Sequence, residues 1–167
     1  MTSTPPLLSP AHVGLISRGV SAVVASRDLA HRPSLMRAVG GVITTDGRTV
    51  TVYLARRQSR QLLADIASTG RIAVVFSAPR SHETLQVKAT RARLREADDS
   101  DAPTLARYLA AMTRELGSIG LSPTFAAAML AFQPDDLVAV SFEPEEAFDQ
   151  TPGPKAGSAI AQHGDPP

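Results

Sequence analysis

Arg56, Arg57, Ser59 and Arg60 crowd the point where an apolar, strand-like run (Val50, Val52, Leu54) passes into a helical pattern (Leu62, Leu63, Ile66, Ala67). The first turn of a helix carries the positive end of its macrodipole, and each cation placed there on an exposed helix costs ~0.3–1 kcal/mol. Three guanidinium groups beside one helix start therefore call for an anion. The donor set is one that suits phosphate: amides left free by the first helical turn, a hydroxyl, and planar forks that bind two oxygens at once. Arginines at a strand end are also commonly just solvated, so the cluster alone leaves both readings open.

Other chemistries have less to stand on. Without cysteine there is no disulfide, thiolate metal site or cysteine nucleophile, which fits an intracellular chain. His12, His31, His82 and His163 are scattered with no ligand spacing, and no Ser-His-Asp set or carboxylate pair suggests hydrolysis. Net charge is +1, yet 15 of the 17 basic residues are arginine, the side chain best shaped to grip phosphate. Nucleic acid is a poor partner for this chain, which has no basic excess, no tryptophan, two tyrosines and five phenylalanines to stack on bases. No apolar run approaches the ~20 residues of a membrane span, and the first residues lack the layout of a secretory signal. The expected location is the cytoplasm.

The elements that must position the cluster follow from periodicity. Residues 2–6 read as a loose arm, and SPAHVGLISRG as a short helix with Ser9 at the N-cap, Pro10 in the first turn and Gly19 past its end. Residues 20–26 form a buried strand, and LMRAVGGVIT a second. TDGR (45–48) carries the Asp-Gly signal of a tight hairpin leading into TVTVYL. A helix over 59–68 stops at Gly70, IAVVFSA is a strand, and TLQVKATRARLR reads as one long strand with Leu85, Val87 and Ala89 on one face. A helix opens at 98–101 with Leu105, Leu109, Met112 and Leu116 in one stripe; a short helix over 124–130 and the strand DLVAVSF follow. Six strands with hairpin connections and inserted helices predict a mainly β fold, an antiparallel Greek-key split barrel. Residues 1–148 make that domain, and 149–167 a Pro- and Gly-rich tail.

The order of elements, the junction VYLARRQSRQLLADI, the following TGRIAVVFSAP and the strand opening TLQVKA together resemble the FMN-binding split barrel of the pyridoxamine 5′-phosphate oxidase-like family, over about 13–148. The resemblance implies that Ser59 and Arg60, with Arg57 beside them, hold the flavin phosphate. It also implies that Val52, Tyr53 and Leu54 line the ring and ribityl chain, and that Gln86 lies near the isoalloxazine. Lys88, on the face of Gln86, becomes a candidate for the flavin's pyrimidine edge, and Arg37 for a second phosphate or ring contact. Catalytic residues stay unassigned. The implied function is FMN-dependent redox of a small molecule through flavin N5. A flavin-binding or sensing protein with little turnover, and a reductase using the deazaflavin F420, are the alternatives. True pyridoxamine phosphate oxidases share a tryptophan-containing C-terminal segment with an Arg-Leu ending, which this chain lacks. The family also implies a homodimer with the flavin at the subunit interface. Leu35, Val39, Val42, Val50 and Val52 suggest apolar surface beyond the needs of one core, although the helix over 105–116 could cover it within one chain.

Overall fold

Ser9 starts the first helix, α1 (Pro10–Ser17), by accepting from the His12 amide while the His12 ring bonds back to the Ser9 amide. Gly19, at φ +68°, turns the chain into the barrel; a Cβ there would lie 2.5 Å from that of Ala111, so the turn needs glycine twice over. The computed structural model describes residues 5–161. Residues 1–4 and 162–167, including most of the expected N-terminal arm and His163, lie outside the described residues.

Strands β1 (Ser21–Arg27), β2 (Pro33–Arg37), β3 (Gly40–Ile43) and β4 (Val50–Ala55) come next. After the helix α2 (Arg60–Thr69) follow β5 (Ile72–Ser77), β6 (Thr84–Ala89) and β7 (Arg93–Glu96). The helices α3 (Ala102–Gly117) and α4 (Pro123–Met129) lead to β8 (Leu137–Phe142), β9 (Glu146–Asp149) and β10 (Ser158–Ala159). One sheet has six strands in the order β10-β9-β6-β5-β1-β2, the other four in the order β3-β4-β8-β7. Every recorded pairing is antiparallel. This is the split barrel that the strand and helix pattern predicts.

Two runs that read as single strands each serve both sheets. LMRAVGGVIT divides between β2 and β3: the Ala38 amide bonds to Ala22 in the six-stranded sheet, and the next amide, Val39, to Tyr53 in the other. TLQVKATRARLR divides between β6 and β7, where the Ala92 amide turns aside to the Gly70 carbonyl. Periodicity reports which face turns inward, and both halves of each run turn one face inward, half-buried in β2 and β7 (Met36, Leu94) and buried in β3 and β6, so the corner between them is silent in sequence. The β3–β4 hairpin has positive φ only at Gly47 (+72°), not at Asp46 as well, so its turn is not the two-residue mirror-image type that Asp-Gly favours.

The core is the space between the sheets, filled by Val24, Val52, Leu54, Val74, Phe76, Val87 and Val140, with Leu62, Leu63 and Ile66 of α2 closing it. Outside, α3 lays Leu105 against Val39, Tyr53 and Ala139, and packs Tyr108, Met112 and Leu116 with Ala126 and Leu130. The segment read as a tail from 149 is bonded to the barrel as far as it is described: Asp149 ends β9, Ser158–Ala159 pair with β9, and the Ile160 amide donates to Ala147 at 2.8 Å.

Candidate functional site

Two carboxylates from other elements reach the β4–α2 junction. The Arg56 guanidinium is bonded to both carboxylate oxygens of Glu96, the last residue of β7. The Arg57 amide donates to Asp136 Oδ1 at 3.2 Å, and its guanidinium Nε lies 3.6 Å from the same oxygen. The sequence reading asked which anion meets these three arginines and gave a phosphate to Ser59 and Arg60 with Arg57; in the fold Arg56 and Arg57 already meet carboxylates from β7 and from the short turn before β8, which no local pattern ties to residues 56 and 57. Arg60 is left exposed, with no hydrogen bond or ion pair from its side chain among the described residues.

Ser59 stands at the N-cap of α2 without acting as a cap. Its backbone (φ −113°, ψ 18°) is not extended, no cap bond forms, and its Oγ, on a residue only 2% exposed, has no hydrogen-bond partner among the described residues. A buried, unsatisfied hydroxyl costs ~1–3 kcal/mol. Leu63 makes the first bond back, to the Ser59 carbonyl at 2.8 Å, so the amides of Arg60, Gln61 and Leu62 precede the helical ladder. An orphaned hydroxyl, amides outside the ladder and one unpaired guanidinium fit a phosphate.

Arg37, Gln86 and Lys88 lie elsewhere, on the outer face of the six-stranded sheet. Register places Arg37, Val23, Val75, Gln86 and Phe148 in one row across β2, β1, β5, β6 and β9, with Leu35, Ala25, Ala73, Lys88 and Glu146 in the next. Arg37 and Gln86 are thus three strands apart, ~14 Å at the usual strand spacing. Arg37 donates to Ser21 Oγ at 2.7 Å, Gln86 accepts from Gln150 Nε2 at 3.4 Å, and Lys88 Nζ sits 4.4 Å from the centre of the Phe148 ring. The small and apolar members of these rows are only half-buried, and Leu35 is 66% exposed.

The third group is sealed. Val52 and Leu54 point into the barrel core, so a ligand beside β4 would meet their backbone rather than their side chains. Tyr53 lies under α3 and donates to Asp101 Oδ1 at 2.7 Å; Asp101 also takes Arg95 Nη1 and Nη2, at 2.7 and 2.6 Å, and the Asp98 amide. The Arg95 fork holds the Asp101 carboxyl well below the usual carboxylate range. Burial, with the bond to Asp101, pushes the Tyr53 hydroxyl up to about 12. Tyr53 is thus tied through Asp101 to Arg95 under α3. The sequence reading missed Arg95 and Asp101 as partners, although Asp98 and Asp101 carry the three-residue spacing of a reciprocal helix cap, which they form.

No family model matches the sequence, and no curated protein is significantly similar to it. Solved structures are. HupZ of Group A Streptococcus is 15% identical, covering 90% of this chain and 99% of its own, at a TM-score of 0.54. A candidate pyridoxamine 5′-phosphate oxidase from Lactobacillus delbrueckii is 17% identical, covering 84% and 93%, at 0.52. An F420 reductase is 14% identical, covering 84% and 98%, at 0.55. At such identities the likeness is one of fold, and the chain has the split-barrel fold of the pyridoxamine 5′-phosphate oxidase-like proteins. No helix of the described residues is long and apolar enough to cross a membrane.

Proposed function

We propose that this protein is an FMN-dependent oxidoreductase acting on a small molecule in the cytoplasm, as a homodimer with the flavin at the subunit interface. The observation that carries the reading is Ser59: a buried hydroxyl with no partner, at a helix start with amides outside the ladder, beside the unpaired Arg60. Arg60, being exposed, would make the first contact with the phosphate, and the Ser59 hydroxyl turns to it without giving up a bond. Arg57 adds a half-neutralised charge nearby. FMN, when bound, supplies hydride or two-electron transfer at N5.

The outer sheet face supports the interface. Gln86 and Lys88 carry donors amid half-buried small and apolar side chains, and a second copy laid on that face would bury Leu35, Val23, Val75 and Phe148. One copy would then bring the phosphate end and the other Gln86 and Lys88, which accounts for the two groups being apart within one chain.

Titration of the purified protein with FMN and with riboflavin tests this reading. FMN is expected to bind at least about a hundredfold more tightly, since riboflavin lacks the group that two or more charge-assisted bonds would hold. Arg60→Ala is expected to weaken FMN at least about tenfold, with Arg107→Ala on α3 as control. Equal affinity for FMN and riboflavin would remove the phosphate argument. The chromophore that copurifies separates FMN from the deazaflavin F420, and turnover with reduced nicotinamides separates an enzyme from a flavin-binding protein.

A further inference from the structure

A cavity of 580 Å³ opens between the N-terminal half of α3, the end of α4 and the turn before β8. Its walls are Val39, Leu105, Leu109, Leu130 and Phe132, and its rim carries Asp98, Asp99 and Asp135. The volume falls inside the roughly 300–1,000 Å³ of small-molecule sites. None of the residues assigned to the flavin lines it, and the rim would repel a phosphate.

We propose that this cavity binds a small organic cation: an apolar body of aromatic or alkyl carbon ending in an amine. Three features select that class. The walls are hydrocarbon, and Leu109 stays 37% exposed on a helix that buries the rest of its stripe, so an apolar body gains by covering it. The rim bears one sign of charge. Asp98 is partly occupied, accepting from the Ser100 amide at 2.9 Å, whereas the side chains of Asp99 and Asp135 have no ion pair or hydrogen bond among the described residues. The cations on the neighbouring elements already meet other carboxylates, Arg95 at Asp101, Arg56 at Glu96 and Arg57 at Asp136, which leaves Asp99 and Asp135 to a cation from outside. A neutral apolar molecule would use the walls alone, and a fatty acid would meet the rim with the wrong charge.

The proposal stands apart from the flavin reading, and so does its test. Calorimetric titration of the full-length protein with 4-phenylbutylamine, 4-phenylbutan-1-ol and 4-phenylbutanoate compares one apolar body with three ends. The amine is expected to bind at least about fivefold more tightly than the alcohol, the acid least, with the advantage shrinking as salt is raised. Ala106→Trp, on the exposed wall of α3, is expected to fill the cavity and abolish amine binding at unchanged helix content. The double variant Asp99→Asn with Asp135→Asn is expected to bring the amine to the affinity of the alcohol. Equal binding of all three probes overturns the proposal, as does amine binding that survives Ala106→Trp. Light scattering in which Ala106→Trp halves the particle mass would assign the cavity to a second copy instead, and would overturn it too.

Discussion

Replacing Ser59 by alanine is expected to move stability and ligand binding in opposite directions. At an ordinary N-cap, serine to alanine costs ~0.5–2 kcal/mol because a bond to the first-turn amides is lost. Here no such bond exists and the hydroxyl is buried with no hydrogen-bond partner among the described residues. Removing it relieves an unsatisfied group worth ~1–3 kcal/mol, so the apo variant is expected to equal or exceed the parent in stability by up to about 2 kcal/mol. A bond from the hydroxyl to a phosphate dianion is worth ~1.5–3 kcal/mol, which converts to roughly 10–150-fold in affinity. Urea unfolding of both apo proteins, compared at equal slope, reads the first quantity; quenching of flavin fluorescence during FMN titration reads the second. A variant that loses 1 kcal/mol or more while binding FMN like the parent would refute the reasoning. The serine would then be capping its own helix and waiting for nothing.

Three further outcomes follow from other parts of the structure. Asp101 is ionised and held by Arg95 with its pKa depressed, so its contribution to stability is present above the unfolded value of about 3.9 and is lost as pH falls through the folded one; Asp101→Asn is expected to cost ~1.5–3 kcal/mol at neutral pH and to flatten stability between pH 5 and 2, followed by urea titration. Gly70→Ala is expected to destabilise by more than ~1 kcal/mol in thermal unfolding, because φ is +68° and a Cβ would meet the Thr90 carbonyl oxygen at 2.5 Å. Val75→Lys, in the middle of the open sheet face, is expected to reduce the sedimenting mass from about twice the 17.6 kDa chain to that of one chain and to weaken FMN binding with it; a parent that is already a monomer yet holds FMN tightly would contradict the shared site.

How far the sequence reads depends on whether the relevant contact is local. Ser9 before Pro10, Gly70 after Thr69 and the Asp98-Asp101 pair mark helix ends with signals spanning three or four residues, and the helices begin and end there. The division of two strand runs between sheets is invisible for the opposite reason: the amides of Ala38 and Val39 look alike in sequence and differ only in which distant strand receives them. Among the residues taken as surplus apolar surface, Val50 and Val52 fill the barrel, Val39 and Val42 lie with Leu105 and Tyr53, and only Leu35 remains outside. The helix over 105–116 therefore covers two of them. The face that is left open is built from Val23, Ala25, Ala73 and Val75, whose alternation with Ala22, Val24, Ile72 and Val74 reads in sequence as continuous buried strand. A strand apolar on both faces fits a doubly buried position, and in a single copy of this chain β1 and β5 have cover on one face only.

The arginine cluster shows how electrostatic reasoning from sequence overcounts. Charge pattern along a chain gives the local sum, and the folded site gives a sum over every element that reaches it. At residues 56, 57 and 60 the local sum is three cations; Glu96 from β7 and Asp136 from the turn before β8 bring two anions that lie 40 and 79 residues away from the arginines they meet. The site therefore carries about one net positive charge plus the helix amides, not three. A smaller charge makes the geometry of the remaining donors matter more. With Arg56 and Arg57 anchored, the junction is held rigid by bonds that do not involve the ligand, and Arg60 and Ser59 are the two groups whose bonding is incomplete. Such an arrangement binds an anion without an excess of charge that would have to be screened in its absence. On the proposed reading, selectivity for a phosphate-bearing flavin would rest on these two side chains, which can be replaced one at a time.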